Sequence, residues 1–454
     1  MIQPQISSAL FALVIIIASV TSCTDPLTDS SPTQQRHFTG YAETDLYHKF
    51  ILSNLTFNRA SIPSGWELAV YTYGGVLSGS VVWNDTGEVV LKAWGADDLT
   101  EQFHADEKFD FRVWDNQTNQ EFYADGRWTS GPTVWKANGL SEITVDGFIA
   151  REMTAHFQAG WNLISINVRP NQIMYNDNGP DIRKMMRQFY YGDNSHLILM
   201  KNERGNFYAP ANRDFNNIPF WNVSEGYQVR IDSAMDAHWI GHTIDADEYI
   251  EIAGGWNMIA YFPTYPLSCS RNSFRAISSI RDKVVLVKDI EGNFASPRNN
   301  FSNMAPWREG RGYQINVRSA CTLRYPEPET ESPQLPDLSA DSIIGPWRKP
   351  PRTGSNMSVL ITAISNVTPN DSDAVAAFSA SGLLVGLGRP TGGMIGLAVW
   401  GDDASTESVD GLYYGEAFNL KYWFHEDSTI IDLRMPELVY ETDGFTSGIA
   451  SVSP

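Results

Sequence analysis

The sequence predicts a mainly β protein of four tandem modules, in which two outer antiparallel β-sandwiches flank two small β-rich repeats, each with one short helix. Three observations predict it. A chain of 454 residues exceeds what one core organises, so several domains of about 100–150 residues are expected. Two different sequence patterns each occur twice, in the order outer, central, central, outer. Between Gly, Asn, Asp and Pro turns lie short runs of β-branched and aromatic residues, which read as strands.

Residues 1–22 read as a signal peptide. The apolar run 9–20 (ALFALVIIIASV) is too short to cross a bilayer, which takes about 20 residues, but it suits a signal-peptide core. Val20-Thr21-Ser22-Cys23 follows it and resembles a bacterial lipobox, so Cys23 is the expected lipid-bearing first residue of the mature chain. The first eight residues carry no Lys or Arg, a departure from the usual positive start. Residues 23–43, rich in Ser, Thr, Asp and Pro, read as a flexible tether.

The first outer module is expected over residues 44–150 and the second over 354–454. Trp94-Gly95-Ala96-Asp97-Asp98 parallels Trp400-Gly401-Asp402-Asp403. Each is followed by a strand-like run, Phe109 to Trp114 (FDFRVW) in the first and Phe418 to Trp423 (FNLKYW) in the second. Upstream, WELAVY at 66–71 parallels AVAAF at 374–378.

The central copies are expected over 151–241 and 242–326. Gly160-Trp161-Asn162-Leu163-Ile164 matches Gly255-Trp256-Asn257-Met258-Ile259. The match continues through Gly205-Asn206-Phe207 and Gly292-Asn293-Phe294, through Trp221 and Trp307, and through Gly226-Tyr227-Gln228 and Gly312-Tyr313-Gln314. The offset falls from 95 residues at the first Trp to 86 at the Gly-Tyr-Gln, which a loop-length change explains. One helix is expected in each copy, over 180–189 with Ile182, Met185, Met186 and Phe189 on one face, and over 273–280 with Phe274, Ile277 and Ile280. The proline-rich segment 327–353 reads as a stiff spacer.

Composition narrows the function. A net charge of -20 argues against nucleic-acid binding, which relies on clustered Lys and Arg. With Cys23 lipidated, Cys269 and Cys321 remain as a pair. By the repeat alignment they replace Met174 and Met235 together, which predicts a Cys269–Cys321 disulfide worth roughly 4 kcal/mol. Asp97, Asp98, Asp402 and Asp403 are the residues that could hold calcium, since Ca²⁺ takes about six to eight oxygens, although acidic turns between strands are common without metal. No organic cofactor is expected. No Gly-x-Ser-x-Gly, His-Glu-x-x-His or phosphate-binding glycine loop is present, and the eight His are scattered, so no catalytic residue is assigned and the chain is read as a non-enzyme. Repeated Trp and Gly read first as core anchors and turn residues, with sugar stacking as the alternative for a Trp.

These Gly-Trp-Asn-Leu-Ile and Trp-Gly-Asp-Asp units resemble repeats of surface and secreted multi-module β proteins of Bacteroidetes, which often end in a type IX secretion sorting domain. Residues 447–454 lack such a tail, which favours lipid anchoring instead. Thr24 rather than Asp after Cys23 favours the outer membrane, and the resemblance implies surface location and modular architecture, so an outer-membrane, lipid-anchored envelope protein, periplasmic or surface-exposed, is expected, with the membrane and a polysaccharide or surface protein as partners. The expected role is glycan or protein binding and adhesion. A structural envelope spacer and a carbohydrate-active enzyme with an unrecognised site are the alternatives.

Overall fold

A computed structural model of the chain describes residues 36–453 apart from 86, 191–194, 331–332, 334–342 and 437. Cys23, its signal peptide and most of the tether lie outside the described residues.

The architecture is mainly β, with several sheets arranged in modules. In the first outer module the strands follow the order 89–94, 47–57, 140–148, 120–130, 110–115, 67–71, 77–82. In the second the order is 394–400, 356–364, 445–452, 430–434, 418–423, 374–379, 384–388, so the two copies have the same topology. The sequence dictates which face turns inward. Val89, Leu91 and Ala93 are buried while Val90 and Lys92 are exposed, the period of two expected of a half-buried strand.

In each outer module one mostly antiparallel sheet rolls round on itself. In each, the first and last long strands pair in parallel, Tyr47–Phe57 with Leu140–Phe148 and Asn356–Ile364 with Phe445–Val452. The second barrel closes, because Leu384–Gly388 and Asn356–Ile364 both pair with Met394–Trp400. The first stays half open between Leu77–Val82 and Val89–Trp94. There the chains touch at Gly79, where a Cβ would come within 1.9 Å of the Lys92 carbonyl oxygen.

Each central copy is a five-stranded sheet of identical order, Gly160–Ile164, Tyr227–Ile231, Leu197–Lys201, Phe207–Ala209, Phe215–Asn216 in the first and Gly255–Ile259, Tyr313–Val317, Val284–Lys288, Phe294–Ser296, Phe301–Ser302 in the second. Even the bulges coincide, between Leu197 and Leu199 and between Val284 and Leu286. The repeated Asn closes the turn before its strand. Asn162 exchanges hydrogen bonds with the Gln158 backbone (3.0 and 2.8 Å), and Asn257 with that of Ala253 at the same distances.

Where the first helix was expected, the α-helix Ile182–Met186 runs into a 3₁₀ turn, Arg187–Phe189. Asp181 caps it by accepting from Arg183 N and Lys184 N. Ile182, Met185, Met186 and Phe189 are all buried. The second is a 3₁₀ helix, Arg275–Ile280, preceded by Phe274 in a left-handed conformation with no side-chain cap, which leaves the tighter turn.

The two central copies pack on each other with twofold reciprocity. Gly226 N donates to Met258 O and Gly312 N to Leu163 O, each at 3.0 Å, and bridges join Ile164 to Arg311 and Glu225 to Ile259. The repeated glycines permit this approach. A Cβ on Gly312 would lie 2.8 Å from Ile164 O and 3.2 Å from the Gly226 Cα, and one on Gly226 would lie 3.0 Å from Ile259 O.

The copies differ at one equivalent turn residue. Asn202 accepts from the N–H groups of Arg204 and Asn206, and Asp289 accepts from those of Glu291 and Asn293. Burial, with the Glu291 charge adding to it, pushes the Asp289 carboxyl up to about 7. The folded chain therefore binds this proton more tightly than the unfolded chain, and stability falls as pH rises from about 4 to 7. Asp289→Asn, which installs the first copy's residue, should raise stability progressively over that window and by a constant amount on the order of 4 kcal/mol above it. Calorimetric melting from pH 4 to 8 checks this, and a gain independent of pH would refute it.

Part of the expected proline-rich spacer is packed against the body. Ile343–Ile344 pairs with Trp347–Arg348, Gly345 lies against the Trp423 ring, and Arg352 makes a 2.8 Å ion pair with Glu291.

Candidate functional site

A cleft of about 910 Å³ opens between the first barrel and the first central copy. The strand Gln120–Ser130 supplies Asp125 and Trp128, the strand Leu140–Phe148 supplies Asp146, and the central copy contributes Arg169, Tyr175 and His242. Asp125 and Asp146 are partners in the antiparallel register, so two carboxylates stand side by side on one face. His242 stacks on Phe148 at 3.4 Å between centroids, and its Nε2 lies 2.6 Å from Asp125 Oδ2. This contact and the 3.2 Å bond from Asn171 Nδ2 to Asp110 Oδ1 fix the first barrel to the central copy.

Aromatic surface and polar groups converge here. Trp128 packs beside Phe109 and Phe111. Trp128 Nε1 and Asp125 Oδ1, both buried, have no hydrogen-bond partner among the described residues. Tyr175 is raised above the ordinary phenol range, first by burial and then by the charge of Asp125.

The Asp97, Asp98, Asp402 and Asp403 carboxylates do not form the expected calcium cage. Among the described residues no group of three or more His, Cys, Asp or Glu is placed to hold a metal. The Asp residues instead organise their own turns. Asp97 Oδ1 accepts from Leu99 N and Thr100 Oγ1, Asp402 Oδ1 accepts from Asp410 N, and Asp403 Oδ1 accepts from the Ser405 N–H and hydroxyl.

The geometry also corrects the alignment of these loops by one residue. Ala96 N bonds Phe103 O as Asp402 N bonds Leu412 O, and Thr100 N bonds Asp97 O as Thr406 N bonds Asp403 O. Asp97 is therefore the equivalent of Asp403, and Asp98 that of Ala404.

The central Trp and Lys residues form the seat of the second barrel. Lys201 Nζ sits 4.2 Å over the Trp161 ring and Lys288 Nζ 4.8 Å over that of Trp256, the same pair in each copy. Trp161 Nε1 donates to Asp403 Oδ2 at 2.7 Å, and Arg230 donates to Ser405 O at 3.0 Å. On the other copy Lys288 Nζ reaches Asp443 at 2.5 Å and Asn356 O at 3.1 Å. Between these contacts Leu286, Phe294, Phe301 and Leu360 make a shared apolar core. The second barrel thus sits astride the two copies. Trp221 and Trp307 are buried in the cores of their copies, as expected of core anchors, whereas Trp161 is buried beneath the second barrel and Trp256 is half-buried beside it.

The Cys269–Cys321 disulfide is absent, since both are free thiols. The alignment placed them in one core, with Cys321 packed at its edge, as Met174 and Met235 pack on the core of the first copy. The thiols have different surroundings, however. Cys269 is buried near Trp307 and its thiol is pushed up to about 12, whereas Cys321 lies on an edge strand near Lys283, Asp282 and Glu251. A thiol held protonated is a poor partner for oxidation.

Sequence reasoning missed the cleft residues Asp125, Trp128, Asp146, Tyr175 and His242. None belongs to a repeated motif, and the pairing of Asp125 with Asp146 exists only in the strand register.

No protein-family model matches the chain, and no curated protein does. Among solved structures it is similar to the Bacillus anthracis TIE protein, at 7% identity and TM-score 0.14, covering 90% of this chain and 51% of that one. The chain thus spans about half the length of that protein. It is also similar to two structures of BcpA, the major pilin subunit of Bacillus cereus, at 7% and 8% identity and TM-score 0.13, covering 90% and 89% of this chain and 100% and 98% of theirs. Scores this low carry neither a common fold nor a common function.

Proposed function

We propose that this is a non-catalytic, lipid-anchored envelope protein that binds a glycan in the cleft between the first barrel and the first central copy. The observation that carries the reading is the meeting of the Trp128 and Tyr175 rings with the in-register Asp125 and Asp146 carboxylates in one cleft. Sugar rings present C–H faces to aromatic side chains and hydroxyls to carboxylates, so this mixture suits a saccharide better than an apolar ligand. Anchoring through Cys23 at the outer membrane rests on the lipobox-like sequence alone.

The in-register pair Asp125 and Asp146 favours one competing reading, a glycoside hydrolase working through two carboxylates. Titration of residues 24–454 against a panel of soluble polysaccharides, with assay of new reducing ends, separates the two. Binding weakened about tenfold or more by Trp128→Ala, without chain cleavage, supports the proposal. Binding that Trp128→Ala leaves unchanged overturns it, and cleavage abolished by both Asp125→Asn and Asp146→Asn replaces it with the hydrolase.

A further inference from the structure

The second barrel docks through a small turn, and the first barrel carries the same turn with none of the described residues seated on it. In the second barrel, Asp403 ties its turn with Oδ1 and extends Oδ2 to the Trp161 indole, while Ser405 meets Arg230. In the first, Asp97 ties an equivalent turn with Oδ1, whereas Oδ2 has no partner among the described residues. Leu99, at the place of Ser405, is 93% exposed, and Leu46, whose carbonyl receives Gly95 N, is 41% exposed. The Asp97 carboxyl is held below its ordinary range by the Leu99 N–H and then the Thr100 hydroxyl, so it presents a fixed negative charge.

The docking surface that such a turn recognises is visible in this chain, and it is already taken. Trp161 is 1% exposed beneath Asp403, and Lys288 is held by Asp443. We infer that the 97–100 turn is a docking turn used between chains, and that its partner is a repeat of the central type on another protein, offering a Trp N–H to Asp97 Oδ2 beside a Lys. Where this chain has Arg230 facing Ser405, the partner presents an aliphatic side chain to Leu99, because a solvent-exposed leucine gains most from apolar cover. This inference is independent of the glycan cleft.

Two experiments test it. In the full chain, Ala404→Asp/Ser405→Leu combined with Arg230→Leu writes the first turn, facing an aliphatic side chain, into the second barrel. The barrel should stay docked, with Trp161 still shielded from iodide quenching and a single melting transition retained. Release of the barrel would show that a turn of this sequence cannot seat on a Trp–Lys pair and would overturn the inference.

The second experiment works in trans. A full-length probe chain carrying Asp403→Ala to open Trp161, Arg230→Leu to face Leu99 and Asp97→Ala/Leu99→Ser to silence its own turn is mixed with the full chain in sedimentation velocity. A complex is expected. Asp97→Ala/Leu99→Ser in the full chain should weaken it about tenfold or more, while Asp98→Asn should leave it unchanged. Association only of the probe with itself, or a complex insensitive to the Asp97 substitution, would overturn the inference. If the probe does not fold, the grafted turn decides alone.

Discussion

Gly312→Val is expected to destabilise the protein by about 3 kcal/mol or more, the upper range for forcing atoms into a packed interior. The first added carbon already falls 2.8 Å from Ile164 O and 3.2 Å from the Gly226 Cα, and both neighbours are backbone that cannot rotate away. The damage should be specific. It separates the two central copies, breaking the Gly312 N to Leu163 O and Gly226 N to Met258 O bonds together, while the separate interiors of the copies remain filled. Denaturant unfolding followed by Trp fluorescence should therefore show an earlier, broadened transition. Gly87→Ala serves as the control, because a Cβ there meets nothing within 4 Å, and it should change stability by less than about 0.5 kcal/mol. Equal effects of the two substitutions would refute the role given to Gly312.

Asp403→Ala should cost about 3–5 kcal/mol of the docking of the second barrel, the usual consequence of removing one member of a buried charged contact. It strands the Trp161 N–H, which is bonded at 2.7 Å, and removes the negative charge 3.7 Å from Arg230. It also unties the 403–406 turn, whose Ser405 holds the same arginine. Asp403→Asn keeps an oxygen for the indole and should lose clearly less. Limited proteolysis in the 349–353 segment and a separate low-temperature transition in calorimetry read the release of the barrel. A single transition with unchanged midpoint would refute the contact as the seat of the barrel.

Much of this architecture could be read from the chain before its structure. The paired Gly-Trp-Asn and Gly-Tyr-Gln segments announce two like bodies because side-chain periodicity and turn residues are local, and the buried face of Ile182, Met185, Met186 and Phe189 is written in the helical spacing. What escaped is everything that depends on how distant surfaces meet. Asp403 looked like a cation ligand because its carboxylate is visible in the sequence and the Trp161 indole 242 residues away is not visible as its partner. Gly226 and Gly312 looked like turn formers, yet neither has a positive φ, and their requirement is the bare backbone they offer each other. The joining of the sheet edges was not legible, because alternation along a strand reports which face is inside, not whether the edges meet. The cleft was illegible for the same reason, since Asp125 and Asp146 become neighbours only once register is set.

The parallel pairing of the opening and closing strands in each barrel also bears on mechanics. Tension applied between Tyr47 and Phe148, or between Asn356 and Val452, draws two side-by-side strands lengthwise past each other. Every rung between them then takes load at once, in shear, where a hairpin pulled from its open end would surrender its rungs one after another. Such a barrel resists stretching far better than its thermal stability alone would suggest.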